Sequence, residues 1–223
     1  MFYYPICLDL QGKTALVVGG GKVAERKIAT LLEYGAKVLV VSKELSSDLD
    51  QRVREGKITY LGEDFSDTLL EGVFVVIAAT DDPNLNRLVS RVAKKKGLLV
   101  NAVDQPADCN FIVPSILRRG HLCIAVSTSG KSPAMAKKVR EDLEALFGPE
   151  YESLLNLLAS LREVVLARGR TGEENKRIFQ GIVYSPVLDY LREQKWDELT
   201  SLLNKLLDAR FSAEDVRRMA ASG

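Results

Sequence analysis

Histidine is almost missing from this 223-residue sequence, and His121 is the only one. That excludes a multi-histidine metal site and any catalytic arrangement built on two histidines. Cysteine is scarce as well. Cys7, Cys109 and Cys123 are odd in number and far apart, so no disulfide framework is implied and the reducing cytosol is the expected compartment. Net charge is close to nil: 31 Lys and Arg against 30 Asp and Glu leave +1, unlike the strongly basic balance of a general nucleic-acid binder. No apolar run reaches membrane-spanning length, and Asp9 and Lys13 interrupt the start too early for a secretory signal. Internal repeats and low-complexity segments are absent. What remains is a chain with 46% apolar residues, ordinary for a protein that buries a real core, and of a length between one domain and two.

The chain is organised around Ala15-Leu16-Val17-Val18-Gly19-Gly20-Gly21-Lys22-Val23-Ala24. Four apolar residues, too few for a helix and rich in valine, predict a buried parallel strand. After three glycines, Val23, Ala24, Ile28, Leu31 and Leu32 recur at helical spacing up to Gly35, a natural stop. Strand, glycine turn and helix bring bare N–H groups and a helix N-terminus against a pyrophosphate. In that reading Gly19 makes the tight turn, Gly21 lets the phosphates approach and Ala24 permits close helix–strand packing. Lys22 and Val23, in the first helical turn, join the candidate cofactor site.

Further strands are expected at 37–41, 58–61, 73–79 and 98–103, with helices from about Ser47 to Gly56 and from the Asp82-Pro83 cap to Gly97. Alternation with short connections predicts a parallel sheet covered on both faces. The stretch from Phe2 to Leu8 reads as an edge strand or as an arm beneath the first strand. Beyond Asp104 the pattern changes. A loop through Cys109 leads to Phe111–Val113, Arg118-Arg119-Gly120 reads as a turn, and Leu122–Val126 as another strand. Ser132-Pro133 caps a helix ending at Phe147. From Glu150 onward only helices are expected, one of them opened by a capping box at Thr171-Gly172-Glu173-Glu174. The tail from about Ala209 has one more capping signal, at Ser212, and is open to fraying. The predicted organisation is α/β: a Rossmann-like nucleotide domain over 1–113, a strand–helix dimerisation segment over 114–148, and a small all-α domain over 149–223.

Several residues stand where chemistry is expected. The second strand ends Val41-Ser42-Lys43-Glu44, where dinucleotide sites usually carry a ribose-binding acid. Ser42 can hydrogen-bond a ribose and Lys43 can pair with a 2′-phosphate, so NAD and NADP both stay open at this point. Small residues at Ala78, Ala79 and Thr80 leave room for a ribose or nicotinamide at the carboxyl edge of the sheet, whereas Asp82 reads as a helix cap. Asp104, closing Asn101-Ala102-Val103-Asp104, stands where a general base for a redox step belongs; a loop aspartate satisfying backbone N–H groups is the alternative. The turn Ser127-Thr128-Ser129-Gly130-Lys131 offers N–H groups and a lysine to a carboxylate or phosphate. Arg118 and Arg119, with Lys137, Lys138 and Arg140, read as a solvated face or a cationic rim. No metal-ligand set is expected.

These residues coincide with one family. Val17 to Ala24, followed by Arg26-Lys27, resembles the start of precorrin-2 dehydrogenases and the matching module of siroheme synthases. Ala78-Ala79-Thr80-Asp81, Val100 to Asp104, Cys109-Asn110-Phe111 with Pro114-Ser115, and Ser127 to Pro133 follow in the family's order and spacing. The resemblance implies a homodimer that uses NAD to oxidise precorrin-2 to sirohydrochlorin, with ferrous iron inserted by some members to give siroheme. It places the catalytic aspartate at Asp104 and tetrapyrrole contacts at Asn101, Arg118, Thr128, Ser129 and Lys131. The chain departs from the pattern at Thr128, where the family often has serine, and at Gln105, where a second acid often follows. With no counterpart of the large methyltransferase domain, it is not expected to make precorrin-2. A nucleotide-sensing regulatory module is the competing class. It shares the glycine turn but needs neither Asp104 nor a cationic rim.

Overall fold

The structure, a computed structural model, describes residues 3–222; Phe2, the start of the amino-terminal apolar stretch, lies outside the described residues. From Tyr3 to Leu8 the chain forms no strand, and Tyr4 and Ile6 are exposed. The chain divides into two compact units that meet between Val113 and Pro114.

The first unit is built on five parallel strands in the order β3-β2-β1-β4-β5, with β1 at Thr14–Val18, β2 at Lys37–Val41, β3 at Thr59–Tyr60, β4 at Val75–Ala78 and β5 at Leu99–Ala102. Ala15 to Val18 are all buried because β1 is central, flanked by β2 and β4, and so has no solvent face. That is why the run is uniformly apolar rather than alternating. Helix α1 (Lys22–Glu33) buries Ala24, Ile28 and Leu31 against Ala15, Val17, Val38, Val40 and Ile77 on one face. After α2 (Ser47–Arg54), helix α3 (Pro83–Lys95) buries Val89 and Ala93 against Leu16, Val18, Val76 and Val100 on the other. Both faces are covered, as the alternating pattern predicts, and the fold is Rossmann-like. The order reverses between β1 and β4. In register, Val18 pairs with both Val41 and Ala78, and Ala78 pairs with Ala102. The carboxyl ends of four strands therefore stand level along one edge.

The second unit opens with an antiparallel hairpin of β6 (Ser115–Arg119) and β7 (Leu122–Val126). This corrects two expectations. Phe111–Val113 is not a strand, and Arg118 and Arg119 are paired with Cys123 and Leu122 rather than turning. The turn is Gly120-His121, with Gly120 at φ +53°, as a two-residue hairpin loop requires. Helix α4 (Pro133–Leu146) follows, with Ser132 as its cap accepting from Met135 N at 3.2 Å. Helices α5 (Glu150–Leu166), α6 (Gly172–Val183), α7 (Val187–Arg192), α8 (Trp196–Leu207) and α9 (Ala213–Ala221) share one core, where Leu157, Leu161, Ile182, Leu199, Leu203 and Val216 are fully buried. The capping box at Thr171 and Glu174 forms. The tail does not fray: Ser212 and Asp215 make a second box, and Val216 and Ala220 lock α9 into the core. Burial pushes the Glu150 carboxyl up, but Arg192, at 2.7 Å, and nearby backbone N–H groups outweigh it and hold it below the ordinary glutamate range. Among the described residues no helix is long and apolar enough to cross a membrane.

Candidate functional site

Four strand ends build the edge of the first unit. Gly19, just past β1, has φ +124°, and a Cβ there would lie 2.3 Å from the Ala79 carbonyl oxygen. Glycine is obligatory for both reasons. Gly20 is equally constrained, since its Cβ would lie 2.1 Å from the Glu44 carbonyl oxygen. No motif position asks for that glycine. The cause is Ser46, whose N–H donates to Gly20 O at 2.9 Å and draws the β2–α2 connection against the turn. Gly21 differs from both. It caps α1 with extended backbone, and nothing lies within 4 Å of a Cβ built on it. With no side chain capping them, the first N–H groups of α1, from Lys22, Val23 and Ala24, open toward that space. Such donors at a helix N-terminus suit an anion such as the phosphates of a dinucleotide. Lys22 is less free than expected: its Nζ is 3.0 Å from Glu25 Oε2, which also accepts from Ser46 Oγ at 2.8 Å. These hydrogen bonds, that of Lys22 first, hold the Glu25 carboxyl below its ordinary range. Ala24 is buried against the sheet.

Gly19→Ala is expected to destabilise the first unit by about 2 kcal/mol or more, the range for a forced left-handed backbone plus a clash with main chain. A fall in its melting temperature of several degrees checks this, and an unchanged value would remove the assigned constraint.

At the end of β2, Ser42 Oγ donates to Glu44 O at 2.6 Å, and Tyr60 Oη donates to Ser42 O at 2.9 Å. The Ser42 hydroxyl is thus turned into its own loop and keeps only acceptor capacity. Lys43 is exposed. At the end of β4, Thr80 is held by Asn86, a residue that no motif singles out. Asn86 Oδ1 accepts from Thr80 N at 3.1 Å and Thr80 Oγ1 at 2.8 Å, while Nδ2 donates to Thr80 O at 2.9 Å. The signal for it was a polar residue, only 3% exposed, at a core-facing position of α3, in helical register with Val89 and Ala93. Asp82 caps α3 as expected, accepting from Asn84 N at 2.8 Å.

At the end of β5, Gln105 N donates to Ala102 O at 3.3 Å and closes a turn over Val103 and Asp104. Asp104 is exposed and sits at φ +58°. That left-handed conformation favours glycine or asparagine, and an aspartate held there costs conformational energy. The following loop folds back along β5. Asn110 accepts from Val100 N at 2.7 Å and donates to Leu98 O at 2.8 Å. Asn101, expected among the tetrapyrrole contacts, donates from Nδ2 to Phe111 O at 3.2 Å, so part of its amide serves that loop.

In the second unit the turn from Ser127 to Lys131 is also less open than expected. Thr128 Oγ1 accepts from Ser132 N and donates to Ser132 O, both at 3.0 Å. Ser129 N donates to Ser127 Oγ at 3.1 Å, and Lys131 N donates to Thr128 O at 3.0 Å. The N–H groups of Ser129, Lys131 and Ser132 are spent inside the turn, which corrects the expectation that they hold an anion. The Lys131 side chain remains exposed. Arg118 donates from Nε to Gly120 O at 3.2 Å on β6. Among the described residues no three His, Cys, Asp or Glu side chains are grouped to hold a metal ion.

Residues 6–115 match the family described as putative NAD(P)-binding, and residues 119–146 match the central region of sirohaem biosynthesis proteins. The siroheme synthase of Methylobacillus flagellatus is 42% identical over 188 residues, covering 82% of this chain and 40% of that protein. That of Nitrosococcus oceani is 38% identical over 215 residues, covering 96% of this chain and 46% of that protein. The chain thus spans less than half the length of these curated relatives. Among solved structures, SirC, described as a precorrin-2 dehydrogenase, superposes with a TM-score of 0.78 at 27% identity, covering 93% of this chain and all of SirC. With an NAD(P)-binding match over the first unit and siroheme-synthase likeness running through both units, the chain is similar to siroheme synthases and to the precorrin-2 dehydrogenase SirC.

Proposed function

We propose that the chain oxidises precorrin-2 to sirohydrochlorin with NAD as the acceptor. The observation that carries this reading is the carboxylate of Asp104, held on a left-handed turn along the same level edge as the Gly19–Gly21 cradle. A nucleotide sensor has no need of an acid kept in a costly conformation at that place. Oxidation removes a hydride and a proton from the tetrapyrrole. NAD held at the Gly19–Gly21 turn would supply the hydride acceptor. Asp104 accepts the proton on its carboxylate as general base. The α1 N–H groups hold the pyrophosphate, and Ala79 and Thr80, clamped by Asn86, leave space beside the cradle for the nicotinamide riboside. NAD rather than NADP fits the end of β2. A 2′-phosphate is ordinarily met by arginine or paired cations, whereas over 42–46 Lys43 is the one cation and Glu44 adjoins it. The exposed Lys131 ammonium is assigned to one of the substrate's carboxylates.

The test is anaerobic turnover of precorrin-2 with NAD and with NADP, followed by absorbance. Turnover with NAD in preference to NADP is expected, and no turnover with either would return the chain to the sensor class. Ferrous iron entering sirohydrochlorin is proposed as a second step, with iron as substrate and the four macrocycle nitrogens as its ligands. It requires removal of pyrrole protons, for which Asp104 is the base, and does not use the cradle. Loss of supplied sirohydrochlorin with ferrous ion, no faster than the uncatalysed rate, would remove that step.

The chain is also proposed to act as a two-fold dimer through residues 114–148, the commonest closed arrangement. Helix α4 buries only Ala136 while Met135 and Leu146 stand exposed, and the outer positions Cys123 and Ala125 of β7 are open. Light scattering at micromolar concentration should give twice the chain mass, and a monomer would count against it.

A further inference from the structure

We propose that Cys109 is a positioning residue for the oxidation, a neutral thiol clasp that holds the Asp104 turn in its left-handed form. The inference rests on the reading of Asp104 as base. Cys109 follows Asp104 by five residues, at the end of the loop that folds back on β5. Its Sγ accepts from Ala102 N at 3.2 Å and lies 3.2 Å from Ala102 O and 3.4 Å from Gln105 O, either of which takes the S–H. Asn101 Nδ2 adds a weaker contact to the same sulfur at 3.6 Å. These partners bracket the turn: Ala102 enters it, Gln105 leaves it, and Val103 and Asp104 lie between.

The need for a clasp comes from the turn itself. A left-handed aspartate costs roughly 1 kcal/mol or more relative to its relaxed backbone, so an unrestrained loop would let Asp104 escape. Besides the bond from Gln105 N to Ala102 O, Val103 N donates to Ala78 O at 2.9 Å and Gln105 Nε2 to Pro83 O at 3.3 Å, but none of these ties the two ends of the turn to the loop that follows. β5 is the outer strand of the sheet, so no sixth strand pins that edge. The thiol fills that role by engaging backbone on both sides of the turn at once. It does so as S–H, because burial pushes its pKa up, against the Ala102 N–H and nearby lysines. Lys27 of α1, itself pushed down by burial and by Arg26, is among those lysines. A half-buried thiol that stays protonated suits a hydrogen-bonding role and not that of a nucleophile.

The experiment measures kcat, KM and NAD affinity for wild type, Cys109→Ala, Cys109→Ser, Asp104→Ala and the Cys109→Ala/Asp104→Ala double variant. Cys109→Ala should lower kcat for precorrin-2 oxidation about ten-fold, as loss of alignment at a reacting group does, with NAD affinity unchanged. Cys109→Ser keeps a donor and an acceptor and should recover most of that rate. In the Asp104→Ala background, removing the thiol should cost nothing further, because its effect runs through Asp104. A Cys109→Ala enzyme that melts earlier but turns over at the wild-type rate would overturn the proposal, as would a loss that persists without Asp104. If Asp104→Ala alone leaves turnover intact, the base reading falls first and the clasp with it. Should Cys109→Ala fail to fold, Cys109→Val takes its place, filling the volume without a donor.

Discussion

Replacing Asp104 by asparagine is expected to lower precorrin-2 oxidation by about two orders of magnitude or more, while the protein melts no earlier than wild type. The two halves of this result have separate causes. Asparagine keeps the size of the side chain but cannot take a proton at neutral pH, so the general-base contribution is lost outright. The backbone responds in the opposite sense. At φ +58° asparagine is more comfortable than aspartate, so part of the conformational cost of the turn is relieved. An active-site residue that destabilises its own fold is the usual signature of stability given up for activity. The checks are initial rates under anaerobic conditions and a thermal melt on the same preparation. Wild-type turnover in Asp104→Asn would remove Asp104 as the base. A steep fall in melting temperature would show that the carboxylate is structural instead.

The second large effect is at Gly21, where Asp is expected to weaken NAD binding by about a hundred-fold or more without loss of fold. Its backbone is extended, at φ −84° and ψ −173°, and the space beyond is open, so any side chain can be accommodated. Aspartate is among the best residues for that cap position, and a negative charge there favours the N-terminus of α1 by a few tenths of a kcal/mol. The carboxylate would then satisfy the very N–H groups that the pyrophosphate requires, and would repel it. Calorimetry should show NAD affinity lost and the melting temperature level or slightly raised. Unchanged affinity would move the cofactor away from this turn. The same variant should still consume sirohydrochlorin with ferrous ion if that step is present, since the base stands apart from the cradle.

The parallel sheet and its cofactor edge were legible because their signals are local. Val17-Val18-Gly19-Gly20-Gly21 announces a strand and a turn within ten residues, and Asp82-Pro83 announces a helix start within two. What escaped depends on pairing across distance. Arg118 and Arg119 look like turn residues by composition, yet cross-strand pairing with Leu122 and Cys123 keeps them in β6. The tail after Ala209 looked weak because its stability comes from packing against α5, a helix some sixty residues earlier, and not from its own propensity. Among site residues, Asp104 could be placed by its position after a strand, but its left-handed backbone could not. Asn101 was read as ligand-facing from the family motif it stands in, and Thr128 and Ser129 from a hydroxyl-rich turn before a helix. In the folded chain Asn101 and Thr128 are turned back on loop backbone and the Ser129 N–H is spent within its own turn. Asn86 passed unnoticed, and Cys109 was read only as part of a loop and a family motif, for the converse reason: a buried amide and a half-buried thiol take their meaning from partners several residues away.

The fold-back of Asn110 onto β5 also bears on how the protein avoids association of the wrong kind. An outer strand ordinarily offers a row of unpaired N–H and C=O groups on which another chain can lay a strand of its own. Here the Asn110 side chain takes Val100 N and Leu98 O, its own N–H takes Val100 O at 3.0 Å, and the Cys109 sulfur covers Ala102 N. The loop that follows Asp104 therefore also closes the sheet against edge-to-edge addition. A lesion that frees this loop would expose an aggregation-prone edge at the same moment that it released the Asp104 turn.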